Sequence, residues 1–218
     1  GNPALQGASA YPSRTQEIGD YDRYIAANPT RLALVRAAAG FDEAAATGRI
    51  GLLFYTQNAT PIGDGVEGLV RLHNDGVRIV QLTYNTRNLL GDGCLERTNS
   101  GLSHFGLAVV ERMNGLRMLV DVSHSGEATT LDAIRHSKAP VAITHSGCHA
   151  VFAHPRNKSD ATIRAMADRG GVLGIYQINP YVGPKERNTL EDYLAHLRHA
   201  IRVAGVEHVG IGSDREYQ

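Results

Sequence analysis

Two apolar runs of this 218-residue chain end at a histidine, and they lie one strand–helix repeat apart. The first run reads MLVDVSH and ends at His124, and the second reads PVAITHS and contains His145. Because the carboxyl ends of neighbouring parallel strands meet at one edge of a sheet, we expect the two imidazoles to converge on one point. Neutral imidazole nitrogens in that arrangement favour a divalent transition metal such as zinc. The pair therefore predicts the metal site of a hydrolase.

The charge balance of the chain limits the kinds of partner that it can bind. Lys plus Arg and Asp plus Glu number 22 each, which gives a net charge of zero when His is neutral. Nucleic-acid and anionic-membrane surfaces show a basic excess, so we predict neither kind of partner. No apolar stretch reaches the length needed to span a bilayer. The two cysteines, Cys94 and Cys148, fit neither a disulfide framework nor a Cys-x-x-Cys zinc site.

The elements that must position the histidines recur as one unit from about residue 50 onward. Each unit has an apolar run rich in β-branched residues, then a segment with helical spacing, then a Gly or Pro. Nearly continuous hydrophobic runs are typical of parallel strands covered on both faces. We predict strands at Gly51–Gln57, Val77–Asn85, Arg117–His124, Pro140–Ser146, Gly171–Asn179 and His208–Asp214, and helices that include Glu127–His136, Ser159–Arg169 and a segment with a Thr189–Asp192 capping box.

Alternating strands and helices predict an α/β fold, either an open doubly wound sheet or a (β/α)8 TIM-type barrel. Nearly every predicted strand ends in a residue with chemistry, which favours the barrel. About six strand–helix repeats are present, so we expect an incomplete barrel over residues 51–218. For residues 1–50 we predict an irregular and helical segment, with helices at Ile18–Ala27 and Pro29–Ala39 and no strand. We expect the two parts to form effectively one domain.

Four segments occur in the order and spacing of one family. They read VDVSH at 120–124, ITHS at 143–146, HPRN at 154–157 and GIGSD at 210–214. The segments GVR at 76–78, LTYN at 82–85 and GLSHFG at 101–106 accompany them. On these motifs the chain resembles, from about residue 15 to its end, the membrane (renal-type) dipeptidases. These are the zinc dipeptidases of peptidase family M19, within the amidohydrolase-like metal barrels.

The resemblance implies a (β/α)8 barrel with two zinc ions that share a bridging carboxylate and a water molecule. His124 and His145 match the histidine ligands of one zinc ion. Asp214 matches the last-strand aspartate that contacts the other metal and handles the proton. Gln57 stands at or beside the position of the bridging glutamate, which makes it both a metal and a catalytic candidate. The implied function is a metallodipeptidase in which metal-activated water cleaves the peptide bond of dipeptides.

The resemblance also implies substrate-binding residues. Arg156 matches the residue that grips the terminal carboxylate of the substrate, a task that suits a guanidinium group. Tyr84, with Asn85 beside it, stands where many members have a histidine that helps to hold the tetrahedral intermediate. The expected partner is a small dipeptide, and a homodimer is left open. We expect a soluble protein, with the compartment open between a bacterial cytoplasm and periplasm.

The chain departs from the family pattern at two places. The best-known members carry a His-x-Asp pair on the first strand, and residues 1–50 contain none. Gln57 is an amide and cannot offset the charge of two cations as a shared carboxylate does. We therefore expect at most one zinc ion to be well held. Two other functions stay open: an inactive dipeptidase-like protein or fragment that binds small peptide carboxylates, and another amidohydrolase-type activity on small amides with one metal ion.

Another pair of histidines has a spacing that metal sites use. His196 and His199 lie three residues apart in a predicted helix, but no carboxylate motif accompanies them. We interpret this pair as part of a solvated helix face.

Overall fold

Strands and helices alternate along most of the molecule. The computed structural model describes residues 10–179, 181–184 and 188–214. The helices are α1 (Ala10–Ala27), α2 (Ala39–Ala46), α3 (Glu67–Asn74), α4 (His104–Gly115), α5 (Glu127–His136), α6 (Asp160–Asp168) and α7 (Leu190–Ala204). The strands are β1 (Leu32–Leu34), β2 (Ile50–Leu52), β3 (Phe54–Thr56), β4 (Val77–Gln81), β5 (Leu119–Asp121), β6 (Ala142–Ser146), β7 (Val172–Ile175) and β8 (Val209–Ile211). Among these residues, no helix is long and apolar enough to cross a membrane.

Six of the strands form one parallel sheet in the order β3-β4-β5-β6-β7-β8. Strands that neighbour each other in the sheet also follow each other along the chain. Gln81 of β4 is paired with Asp121 of β5, and Asp121 is paired in turn with Ala142 of β6. The α/β class with about six strand–helix repeats is therefore confirmed.

The first strand was not predicted, and the second was predicted only in part. β1 pairs with β2 in a separate parallel sheet, with Leu32 opposite Ile50 and Leu34 opposite Leu52. The prediction of a helix over Pro29–Ala39 is wrong, because this segment contains β1 and the start of α2. Three residues are too few for a period of two to appear in the sequence. The strand forms because another segment supplies its hydrogen bonds.

A single predicted strand also proves to be two. The apolar run Gly51–Gln57 is divided at Leu53 into the end of β2 and all of β3, and these pair with different partners. A hydrophobic run shows how much chain is buried, but it does not show with which strand each residue pairs.

Local signals locate the helix ends well. α5 has the predicted bounds Glu127–His136. At the start of α7, the Thr189 side chain accepts from the backbone of Asp192, and the Asp192 side chain accepts from the backbone of Thr189. This capping box satisfies two N–H groups that a helix start otherwise leaves without partners. It was predicted from sequence and is confirmed.

The hydrophobic core lies between the sheet and the helices. Val80, Ile143 and Leu173 of the central strands are fully buried, as are Met113 of α4 and Met166 of α6. Burial of a side chain of this size stabilises the fold by about 1.5–3 kcal/mol. This packing holds the strands rigid, and their carboxyl ends then position the polar residues that follow.

Candidate metal centre

His124 and His145 meet at the carboxyl edge of the sheet. His124 follows β5, and His145 lies near the end of β6. Their Nε2 atoms are 3.0 Å apart, and their rings meet edge to face with centroids separated by 5.0 Å. Only 5% of His124 and 6% of His145 is exposed. The structure thus brings together the two histidines from which the metal prediction started.

Burial keeps both imidazoles neutral. Loss of hydration is the largest cause that lowers the pKa of His124 and of His145 below the usual value. The positive charge of Arg156 is the next cause for both rings. Neutral imidazole is the form that binds a metal ion, so protons compete weakly for this pair at neutral pH.

Two residues from the loop after β4 hold the His124 ring. Asn85 Oδ1 lies 2.7 Å from His124 Nδ1. Because a carbonyl oxygen only accepts, Nδ1 carries the hydrogen and Nε2 presents its lone pair. The Tyr84 ring stacks on the imidazole at a centroid distance of 4.1 Å and an interplanar angle of 19°. Both residues were predicted to bind substrate, and in this structure both contact a predicted metal ligand.

Gln57 and Asp214, the other predicted ligands, lie on the side of His145. Gln57 Nε2 is 3.2 Å from His145 Nε2, and Asp214 Oδ2 is 3.9 Å from the same atom. Asp214 has a φ of 53°, in the left-handed region that Asp tolerates better than most residues. The structure therefore brings the other three predicted metal ligands within 3.9 Å of His145 Nε2.

The donor set fits one metal ion better than two. Two imidazole nitrogens face each other, with the Asp214 carboxylate a small side-chain movement away. Gln57 is neutral and does not fit the place of a carboxylate shared between two cations. Within the part of the chain that the structure describes, no three His, Cys, Asp or Glu side chains stand close enough together to hold an ion.

Arg156 lies beneath the histidine pair. Only 2% of it is exposed, and its guanidinium donates to the backbone carbonyls of Ser123 and, at 2.8 Å, of His145. Its Nε has no hydrogen-bond partner among the described residues. The predicted carboxylate-binding residue thus holds the backbone beside both histidines while one buried donor remains available.

Lys158 is a second buried cation near the site, and sequence reasoning missed it. Its Nζ donates to Val122 O at 2.9 Å, to Ser125 O at 2.7 Å and to Thr130 Oγ1 at 3.1 Å. These acceptors satisfy all three donors of an ammonium group. Two of them flank His124 in the chain, so Lys158 holds the loop that carries this histidine. Burial, followed by the charge of Arg156, lowers the pKa of Lys158 to about 7.

Asp121 was also missed as a site residue, although a signal was present. It is the one charged residue in the apolar run MLVDVSH, and it is fully buried. A buried carboxylate needs several hydrogen-bond donors, which indicates a network around it. The described structure places five donors on its two oxygens.

The histidine pair at 196 and 199 does not form a solvated face, so that interpretation is wrong for His196. His196 is fully buried, accepts from Cys148 N at 2.8 Å through Nδ1, and lies 3.1 Å from Val182 O through Nε2. His199 Nε2 is 2.7 Å from Asp160 Oδ1. Both rings have structural partners, which agrees with the absence of a metal motif.

The loop from Asn85 to Gly101 packs over the site and is ordered by Asp92. Arg87 Nε donates to Asp92 Oδ1 at 2.5 Å, while Thr98 Oγ1 and Ser100 N donate to Oδ2 at 2.9 and 2.8 Å. The hydrogen bond from Arg87 is the largest cause that lowers the pKa of Asp92 to about 2. These contacts give Asp92 a structural role.

Gly93 in this loop makes the closest approach to the residues that hold His124. A Cβ at this position would lie 2.1 Å from Tyr84 O and 2.4 Å from Asn85 C, distances that real Cβ atoms do not show. We expect Gly93→Ala to lower the free energy of unfolding by about 1–3 kcal/mol, because the backbone must shift. Urea unfolding measures this change. Gly65→Ala is the control, since a Cβ there has nothing within 4 Å; equal stabilities of the two variants would contradict the close approach.

A cavity of about 540 Å³ lies next to the histidine pair. Tyr84 belongs to its wall and also stacks on His124, and Asn58, Asp64, Arg87 and Leu90 line other parts of it. The volume lies in the range of small-molecule sites.

The family model for membrane dipeptidase, peptidase family M19, matches residues 2–216. The chain belongs to this family. The resemblance stated from the motifs is therefore confirmed. The M19 assignment also explains why an α/β chain gathers histidines at the carboxyl edge of its sheet, which is where barrel enzymes hold their sites.

Two curated dipeptidases are similar in sequence. Dipeptidase verJ of Clonostachys rogersoniana is 37% identical over 190 residues, which cover 84% of this chain and 48% of that protein. An uncharacterized dipeptidase of Schizosaccharomyces pombe is 32% identical over 173 residues, which cover 77% of this chain and 42% of that protein. The M19 chain thus spans about half the length of these two relatives.

Solved structures of similar proteins support the fold. An amidohydrolase from Pseudomonas aeruginosa superposes with a TM-score of 0.89 at 32% identity, over 95% of this chain and 65% of that one. A metallo peptidase from Rhodobacter sphaeroides, liganded with a phosphinate mimic of the dipeptide L-Ala-D-Ala, gives a TM-score of 0.90 at 27% identity, over 96% and 63%. The described sheet and helices therefore match part of the TIM-barrel-like M19 fold.

Proposed function

We propose that this M19 chain provides the histidine half of a zinc-dependent dipeptidase site, which cleaves the peptide bond of small dipeptides. One observation carries the proposal. Two buried, neutral imidazoles place their Nε2 atoms 3.0 Å apart at the carboxyl edge of a parallel sheet. A cation between the two lone pairs removes the repulsion that this distance otherwise implies.

Four residues would hold the ion. His124 and His145 would bind through Nε2 and Asp214 through its carboxylate. Gln57, whose amide nitrogen faces His145 in this structure, would turn its amide and bind through the oxygen. A bound zinc ion would supply a Lewis acid for the scissile carbonyl and lower the pKa of a water molecule to near neutrality. Both imidazoles and Gln57 are neutral, so Asp214 would offset only one of the two charges of the zinc ion, and the remaining positive charge suits Lewis-acid chemistry.

The other predicted residues would handle proton and substrate. Asp214 follows the last described strand, β8, and its carboxylate would accept a proton from water and donate it to the leaving amine. Arg156 would bind the terminal carboxylate of the dipeptide after a movement that exposes its Nε, which is buried and has no partner among the described residues. Tyr84, on the wall of the cavity, would contact the substrate beside the metal.

Two measurements test this proposal. Zinc binding is measured by calorimetry on the metal-free chain, and hydrolysis is then measured with a dipeptide panel that includes L-Ala-L-Ala and L-Ala-D-Ala. We expect one zinc ion per chain and hydrolysis that depends on added zinc. Failure to bind zinc would refute the proposal for this chain.

One alternative has its own observation. Gln57 replaces a charged ligand, and the described residues include no group of three metal-binding acidic, His or Cys side chains. These facts favour a dipeptidase-like protein that binds small peptides through Arg156 without cleaving them. Peptide binding without turnover in the presence of bound zinc would support this alternative. Hydrolysis of simple amides in preference to dipeptides would support the one-metal amidohydrolase instead.

A further inference from the structure

We infer that Asp121 is a positioning residue that acts through the Thr144 hydroxyl to keep the hydrogen of His145 on Nδ1, so that Nε2 always presents a lone pair. The effect of this tautomer on zinc binding rests on the proposed function. The tautomer itself is a property of the folded chain. Asp121 therefore would determine how strongly His145 binds a metal ion through Nε2.

The argument begins with the donors around Asp121. Oδ1 accepts from Ser123 N at 3.0 Å, from Ser123 Oγ at 2.5 Å and from Thr144 N at 3.2 Å. Oδ2 accepts from Tyr55 Oη and from Thr144 Oγ1, each at 2.8 Å. A carboxylate has no hydrogen to give, so the Thr144 hydroxyl must donate to Asp121.

The direction of the Thr144 hydroxyl hydrogen determines which ring nitrogen of His145 carries the imidazole hydrogen. Thr144 Oγ1 is also 2.8 Å from His145 Nδ1. Because its hydrogen already points to Asp121, the hydroxyl oxygen accepts from the ring, and Nδ1 carries the imidazole hydrogen. Nε2 of the neutral ring is then unprotonated. The amide Nε2 of Gln57, 3.2 Å away, donates to this lone pair.

The opposite arrangement of these hydrogens is less favourable because of the charge on Asp121. If the Thr144 hydroxyl donated to His145, its oxygen would face Asp121 Oδ2 at 2.8 Å with no hydrogen between them. Two acceptors at this distance repel, and burial removes the water that would screen them. Because Asp121 carries a full negative charge, this repulsion exceeds the one between the neutral Nε2 atoms of His124 and His145, which are 3.0 Å apart. Hydrogen-bonded partners of metal-binding histidines commonly set the tautomer in this way.

One substitution, Asp121→Asn, reverses the direction of these hydrogen bonds. The His145 Nε2–H would then face His124 Nε2 at 3.0 Å, and the Gln57 amide would turn its oxygen toward His145. In Asp121→Asn the amide oxygen must occupy the Oδ1 side, because the backbone N–H groups of Ser123 and Thr144 cannot reverse. The amide nitrogen then faces the hydroxyls of Tyr55 and Thr144, and each hydroxyl can reverse the direction of its hydrogen bond. Tyr55 turns its hydrogen to Gln81 Oε1, already 2.8 Å away. Thr144 turns its hydrogen to His145 Nδ1.

We therefore expect Asp121→Asn to fold and to move the hydrogen of His145 from Nδ1 to Nε2. Long-range proton–nitrogen NMR on the metal-free chain with ¹⁵N-labelled histidine distinguishes the two tautomers, and a His145→Ala spectrum assigns the ring. His124 is an internal control, because Asn85 holds its Nδ1 independently. Zinc affinity of Asp121→Asn is expected to fall about 10–100-fold, the usual loss for such a partner.

Thr144 provides a matched pair if Asp121→Asn does not fold. Thr144→Val removes the hydroxyl and keeps the shape, and Thr144→Ser keeps the hydroxyl. We expect Thr144→Val to release His145 from the single Nδ1–H tautomer and Thr144→Ser to retain it. An Nδ1–H tautomer that persists in either Asp121→Asn or Thr144→Val would overturn the inference. A tautomer that moves as expected while the wild-type chain binds no zinc would uphold it and refute the proposed function alone.

Discussion

Alanine at either His124 or His145 is expected to lower the zinc affinity of the chain by more than about 100-fold. The loss exceeds the 10–100-fold typical of an outer-shell partner, because a direct ligand is removed. A single imidazole with Asp214 at 3.9 Å and a neutral amide is too small a donor set for zinc. Calorimetric titration of the metal-free variants measures the effect.

The two substitutions are also expected to be strongly non-additive. If both rings bind one ion, the first substitution destroys the site, and the second has little left to remove. The double variant should therefore bind zinc no more weakly than either single variant. His136→Ala is the matched control, because His136 is exposed at the end of α5. Two independent losses that add would indicate separate sites and contradict a shared ion.

The second large effect concerns Lys158, whose burial makes stability depend on pH. Burial lowers its pKa from 10.5 to about 7 in the folded chain. Between these values the unfolded chain binds a proton that the folded chain does not, so the free energy of unfolding rises with pH. Relative to Lys158→Met, the wild-type chain should gain on the order of 3 kcal/mol between pH 7 and pH 10. Urea unfolding at several pH values measures the difference.

The sign of the change in stability with pH shows whether burial or ion pairing determines the pKa of Lys158. A lysine stabilised by a carboxylate would have a raised pKa, and the stability it adds would be lost at high pH. Lys158 instead donates to two carbonyls and a hydroxyl, so the cost of burying its charge is greatest below pH 7 and disappears above pH 10.5. Lys138→Met is the control, since Lys138 is exposed. A stability difference that stays constant with pH would show that Lys158 keeps an ordinary pKa.

The contacts of Lys158 also show why some site residues escape prediction. It bonds Val122 O, 36 positions away, and nothing in the local sequence HPRNKSD indicates that its ammonium group is buried. A lysine in a polar loop is normally exposed. Arg156, two residues earlier, was chosen only because it matches a family motif. The packing of this loop against the end of β5 buries both cations.

Short strands were missed for a related reason. β1 has three residues, LAL, which fit a helix stripe as well as a strand. Its pairing with β2 decides the conformation, and the partner is supplied by the tertiary structure. Longer elements with local end signals were predicted correctly, as the bounds of α5 and the capping box of α7 show.

The sequence by itself determined the α/β class, the family and the identity of the histidine pair. These follow from hydrophobic period, from chain order and from residue types at strand ends, all of which are local. Only the tertiary structure decided what the pair can do. Which ring nitrogen of His145 carries the hydrogen depends on Asp121, which lies 24 positions earlier in the chain. The donors to Asp121 include Tyr55, which is 66 residues away from it. Hydrogen-bond direction is a property of the whole buried network, because each hydroxyl can point either way until a fixed donor or acceptor decides it.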